Sequence, residues 1–205
     1  MTMRYLLFSV RPTTLALFMG LVTGQWSADS YAGDGLDVNF SARIVNNTCQ
    51  ISLDNGGDIT LPTVMRSWFY NSDGSDRLQP TTDAGGTPFT IRVEQCDAVG
   101  SGGNTLQSLH FQFSPQSGIT AGNKQIFINE AGNGAATNVG VVIFSATFHT
   151  NVLNNDGESD VEYDVKGKSA DDYLTEYAFY ARYQNTGAVS SGKVLSNVVV
   201  NVTYE

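Results

Sequence analysis

Charged residues are scarce: Asp, Glu, Lys and Arg together supply only 15% of the 205 residues. Solvent-facing helices carry their outer faces on such residues, so the shortage argues against a helical protein. Histidine occurs only twice, at His110 and His149. His110 falls in an apparent strand and His149 beside a polar loop, so neither is set up to activate a serine or cysteine nucleophile. No Gly-x-Ser-x-Gly, phosphate-loop or dinucleotide fingerprint occurs, and paired carboxylates in so acidic a chain single out nothing. Asn154 to Asp160 lacks the alternating ligands and closing glutamate of a calcium loop and reads as a solvated hairpin. These absences exclude an enzyme and leave no residues for a cofactor or metal.

Cysteine is nearly absent as well, with Cys49 and Cys96 the only two. An even pair in an exported protein reads as one disulfide, which would stabilise the fold by about 3–4.5 kcal/mol in the chain-entropy model. A metal site is the competing reading, and it lacks ligands because neither histidine neighbours a cysteine. Export is inferred from residues 1–32, read as a signal peptide. Arg4 gives the positive start, Leu15 to Val22 the apolar core, and Ser30-Tyr31-Ala32 small residues at a cleavage site. Arg11 and Pro12 leave that apolar stretch too short to span a bilayer, and no later segment approaches the required length. Losing the leader changes the formal charge from −9 to −10, because it removes Arg4, Arg11 and Asp29. An acidic chain disfavours nucleic acid and anionic membrane as partners.

What the chain does have is alternation and turns. Val38, Phe40, Ala42 and Ile44 alternate with Asp37, Asn39, Ser41 and Arg43, the period of a strand with one apolar face. Further strands are expected at Gln50–Leu53, Ile59–Leu61, Phe89–Gln95, Ser108–Phe113, Gln125–Asn129, Val139–Phe144, Val161–Val165, Tyr177–Tyr183 and Leu195–Tyr204. Gly- and Asn-rich turns such as Asn55-Gly56-Gly57 and Gly132-Asn133-Gly134 separate them. Only Ala170–Leu174 suggests a helical turn, and Val99–Asn104 reads as a surface loop. About ten short strands with frequent turns indicate an all-β, antiparallel sandwich in one unit.

The two ends are the most informative. Val198, Val200, Val202 and Tyr204 lie on one face of a strand reaching the last residues, and such an edge is an aggregation hazard unless another strand covers it. Val38 to Ile44 form a second apolar ridge near the expected cleavage point. One chain's extended end could complete its neighbour's sheet, and that head-to-tail contact does not close on itself, so it propagates a fibre.

The chain here resembles the fimbrial subunits assembled by the chaperone–usher route, the type 1-like pilins, over essentially its whole mature length. The resemblance rests on Gly192, fourteenth from the end, and the penultimate Tyr204. Three further segments match in order: Phe89 to Cys96, Asn138 to Ile143, and Tyr177 to Gly187. It implies an immunoglobulin-like sandwich missing its last strand and completed by a donor strand. Residues 33–48 would be the donor extension leading into the sandwich, and 49–205 the pilin domain. Val38, Phe40, Ala42 and Ile44 match the donor motif, with Ala42 where the family usually has glycine. Gly192, Val198, Val200, Val202, Tyr204 and Glu205 match the acceptor groove and chaperone-binding edge. The implied partners are a periplasmic pilus chaperone, an outer-membrane usher and neighbouring pilin subunits, and the implied destination is a cell-surface fimbria supporting adhesion. The competing expectation is a self-contained secreted sandwich that binds a carbohydrate or protein ligand.

Overall fold

The computed structural model describes residues 36–42 (main chain only), 48–96, 106–118 and 122–205. The expected signal peptide, Ile44 and the Val99–Asn104 loop lie outside the described residues. The strands are β1 (Leu36–Ala42), β2 (Cys49–Leu53), β3 (Asp58–Leu61), β4 (Thr87–Cys96), β5 (Ser108–Pro115), β6 (Phe127–Ile128), β7 (Val139–Ser145), β8 (Val161–Asp164), β9 (Glu176–Asn185) and β10 (Ser196–Tyr204). A single helical turn, α1 (Ala170–Tyr173), starts at Ser169, whose hydroxyl and amide both donate to the Asp172 carboxylate. This reciprocal cap explains why a helix forms at that point; two 3-10 turns, at Asp54–Gly57 and Arg66–Phe69, also interrupt the extended chain.

Two five-stranded sheets, ordered β3-β1-β10-β5-β8 and β2-β4-β9-β7-β6, make an immunoglobulin-like sandwich. Every pairing is antiparallel except β1 with β10, which is parallel. The core between the sheets follows from the period of two. Val198, Val200 and Val202 of β10 and Phe111 and Phe113 of β5 point inward from one sheet; Ile91, Phe179 and Ile143 meet them from the other. Phe179 is the hinge of this packing, with ring centroids 5.1 Å from Phe113, 5.7 Å from Phe111 and 5.8 Å from Phe89. Cys49 and Cys96 are directly opposed in the β2–β4 ladder and are disulfide-bonded, with Cα atoms 4.1 Å apart. The expected disulfide is present.

Alternation fails in the second sheet, and the reason is specific. All of β7 is buried, and β9 is buried without a break from Phe179 to Asn185. The segment spanning residues 76–83 crosses the outer face of β9. Arg182 donates to the carbonyls of Gln79 and Thr82, Gln184 donates to that of Leu78, Asn185 donates to Asp76, and Tyr180 donates to Asp83. This segment, with few apolar residues of its own, thus supplies partners for most of the polar side-chain atoms on the buried strand, while Arg182 Nε and the Tyr183 hydroxyl are buried without a hydrogen-bond partner among the described residues. Strand β6 is shorter than the alternation at Gln125–Asn129 suggests. Asn129 leaves the ladder and donates instead to the carbonyls of Ala136 and Lys193, while its oxygen accepts from Ala131 and Leu195.

Candidate assembly edge

The edge formed by β10 is built from a run of β-branched residues, Val198-Val199-Val200 and Val202. Their stiff side chains suit an extended backbone. Ser196, Val198, Val200 and Val202 are at most 1% exposed, whereas Asn197, Val199 and Asn201 on the other face are half-buried. On one side β10 pairs with β5, from Val198 opposite Pro115 to Tyr204 opposite Leu109. On the other side it pairs with β1, from Val38 beside Ser196 to Ala42 beside Val200. β1 also pairs with β3, Leu36 opposite Leu61 through Asn39 opposite Asp58. Two segments that the sequence places at opposite ends of the chain therefore share one ladder. Without β1, the facing sides of β3 and β10 would have no strand between them.

Gly192 precedes this strand, and the geometry requires glycine there. Its φ is +155°, and a Cβ would lie 2.4 Å from the Ala136 nitrogen and 2.6 Å from the Gly134 carbonyl oxygen. That close approach lets Lys193 donate to Gly134 and accept from Ala136, which fixes the line on which β10 enters its sheet. Beside it, Val64, Met65, Phe69, Val139, Tyr183 and Val194 line a recess of about 460 Å³, with Met65 80% exposed at its rim.

At the far end of β10, Tyr204 is half-buried and Glu205 exposed. The Glu205 main-chain oxygen accepts from the amides of Gln107 and Ser108, and its own amide donates to Ser108. Around it lies an arrangement that the sequence reading missed. His110 Nε2 is 2.9 Å from Ser108 Oγ, and His110 Nδ1 is 2.8 Å from Asp160 Oδ1. The three residue types and distances match a nucleophilic triad, yet the surroundings oppose that chemistry. Ser108 is 2% exposed, and its hydroxyl lies 3.1 Å from Glu205 Oε1, where a carboxylate would repel a developing oxyanion. The group ties β5, β8 and the end of β10 together. His110, Glu162 and Glu205 also form a set whose possible metal-ligating atoms lie within 4.8 Å. Two of these are exposed carboxylates, and both His110 nitrogens already have partners. Ser108 and His110 share one face of β5, with Glu162 paired opposite His110 on β8. That period of two was the available signal.

Elsewhere the electrostatics are structural. Burial first, and then Asp83, push the Tyr180 phenol well above its usual range. The same Tyr180 hydrogen bond holds the exposed Asp83 carboxyl below its usual range, with His149 adding to the effect. Burial lowers the Arg182 guanidinium to about 10.

These features define a disulfide-linked immunoglobulin-like sandwich in which a strand from near the start of the chain lies between β3 and β10. The chain belongs to the fimbrial protein family, whose model matches residues 38–205. It is 38% identical over 180 residues to the uncharacterized fimbrial-like protein YadK of Escherichia coli strain K12, covering 83% of this chain and 86% of that one. It is 30% identical over 183 residues to the minor fimbrial subunit HifD of Haemophilus influenzae, covering 85% and 76%. It is 24% identical to the F17 fimbrial protein of Escherichia coli, covering 93% and 98%. The family is one of structural pilus subunits rather than enzymes. Among the described residues no helix is long and apolar enough to cross a membrane.

Proposed function

We propose that this chain is a fimbrial subunit that polymerises by donor-strand exchange. A periplasmic chaperone captures the β10 edge, an outer-membrane usher receives the complex, and the extension of a neighbouring subunit then replaces the chaperone's strand. The subunit's own extension, with Val38, Phe40, Ala42 and Ile44 as its apolar row, is given to another copy. The resulting surface fibre supports adhesion. The observation that carries this reading is the β1–β10 ladder. The position beside β10 accepts an added strand, and the segment that fills it there is the donor segment expected from the sequence. Val198, Val200 and Val202 supply the groove floor, Gly192 sets the groove's end, and the recess beside Met65 and Phe69 extends it beyond the start of β10.

The main chain of an added strand supplies affinity and its alternate side chains supply specificity. The self-contained binding module has one observation in its favour, namely that β1 already fills the edge. Family membership outweighs it.

The test is deletion of residues 33–44 in a strain carrying the chaperone and usher. The truncated subunit should still co-purify with the chaperone and should fail to be donated to another subunit. Fibres of normal length built from the truncated subunit would refute the donor assignment.

A further inference from the structure

The outer face of the sheet where β5, β8 and the end of β10 meet carries an inference that stands apart from strand exchange. We propose that His110, Glu162 and Glu205 form a binding site for a divalent transition-metal ion of the zinc type.

The period of two brings the donors together. Glu162 of β8 lies opposite His110 of β5, and Thr203 of β10 lies opposite His110 on the other side. Asp160, Ser108 and Glu205 stand two residues along from these three and so take the same face. One ring nitrogen of His110 and one oxygen from each glutamate lie within 4.8 Å of one another. His110 Nε2 is 3.8 Å from Glu205 Oε1, too far for a hydrogen bond. It is near the spacing of two ligands on one ion, since bonds of about 2.0–2.2 Å at a tetrahedral angle hold nitrogen and oxygen about 3.4 Å apart.

Two further observations point to a cation. Asp160 sets the imidazole for ligation. A carboxylate only accepts, so His110 Nδ1, 2.8 Å from Asp160 Oδ1, carries the proton and Nε2 presents its lone pair. Metal-ligating histidines are oriented by just such a carboxylate on the other nitrogen. The group is also short of protons and of positive charge. The Ser108 hydroxyl has one proton, yet Nε2 at 2.9 Å and Glu205 Oε1 at 3.1 Å both call for it. Among the described residues no lysine or arginine pairs with Asp160, Glu162 or Glu205. An ion at Nε2 takes the lone pair, balances the carboxylates and leaves the Ser108 proton to Glu205.

One imidazole and two carboxylates suit zinc better than magnesium or calcium, which favour all-oxygen shells. Three protein ligands leave a fourth position open. The ion joins β5, β8 and the end of β10 on the face opposite the valine row. No thiolate takes part, and the ligands converge only when three strands distant in the chain come together.

Calorimetric titration of Zn2+ into the mature subunit, first stripped with a chelator, tests this. One ion should bind per chain with a micromolar or tighter Kd, and the melting temperature should rise with Zn2+ and not with Mg2+. Glu162 is exposed, so Glu162→Gln keeps the fold, and it should weaken binding about tenfold or more. Asp160→Asn acts on the ion only through His110 and should weaken binding about 10–100-fold. His149→Gln removes the only other histidine and should leave zinc affinity unchanged. Absence of binding below millimolar Zn2+, equal stabilisation by Mg2+, or an affinity unmoved by Glu162→Gln and Asp160→Asn would overturn the site. Any of these results would leave the fimbrial reading intact, because that reading rests on the opposite face of β10.

Discussion

Replacing Val200 with aspartate places the sharpest demand on this account. Val200 is fully buried, lies opposite Phe113 of β5 and beside Ala42 of β1, and faces the core between the sheets. The substitution removes a buried aliphatic side chain, worth about 1.5–3 kcal/mol. It also leaves an uncompensated charge at an apolar site, worth about 3–5 kcal/mol. A total of about 5 kcal/mol or more rivals the whole stability of a domain, which is about 5–15 kcal/mol. The protein can reduce this cost by holding the carboxyl protonated, so the defect should ease as pH falls. Asn201→Asp is the control. Its side chain is half-buried on the opposite face, aligned with Gln112, and the expected effect is within about 0.5 kcal/mol. Urea denaturation of the mature subunit measures the stability difference, and co-purification with the chaperone measures capture. Val200→Asp should abolish capture and Asn201→Asp should leave most of it. Equal loss from both, or none from either, would refute the assigned register of β10.

Gly192→Ala forces a Cβ against the main chain of residues 134–136 at a φ that disfavours side chains. It should cost about 2–4 kcal/mol in denaturant melts, and wild-type stability would show that the glycine is not a packing requirement. Tyr177 donates to the Tyr173 carbonyl, and burial, followed by Tyr163, raises its pKa from 10.0 to about 12. The folded state holds this proton where the unfolded chain releases it, so the stabilisation is complete below pH 10 and lost between pH 10 and 12. Tyr177→Phe should cost about 1 kcal/mol at neutral pH and flatten that alkaline loss relative to wild type. Arg182 acts with opposite sign over the same window, so the comparison is between variants, and parallel curves would contradict the assignment.

Much of the fold was legible because the chain's apolar residues obey a period of two. β5 and β10 alternate cleanly, and Ala170–Leu174 was readable as one helical turn, though the cap that starts it at Ser169 was not. β7 and β9 were legible as strands but not as doubly buried ones. Nothing local announces that residues 76–83 return across Arg182, Gln184 and Asn185, since those contacts span about a hundred residues. Of the assembly edge, Gly192 and the valine row were readable as a pattern. The close approach that makes Gly192 obligatory was not, because it depends on where residues 134–136 fall. The direction of β1 was hidden for a similar reason. Alternation reports which face a residue takes and is silent on whether its partner runs parallel or antiparallel. The Ser108–His110–Asp160 group escaped because Asp160 lies just before β8, 50 positions from His110.

The most direct measurement of the central claim is binding of a synthetic peptide spanning residues 36–46 to the mature subunit lacking its own residues 33–44. The account predicts a stable one-to-one complex that raises the melting temperature, is lost with Phe40→Asp in the peptide, and is lost with Val200→Asp in the subunit. A subunit that neither binds nor is stabilised by the peptide, or binds it regardless of Phe40, would contradict the account.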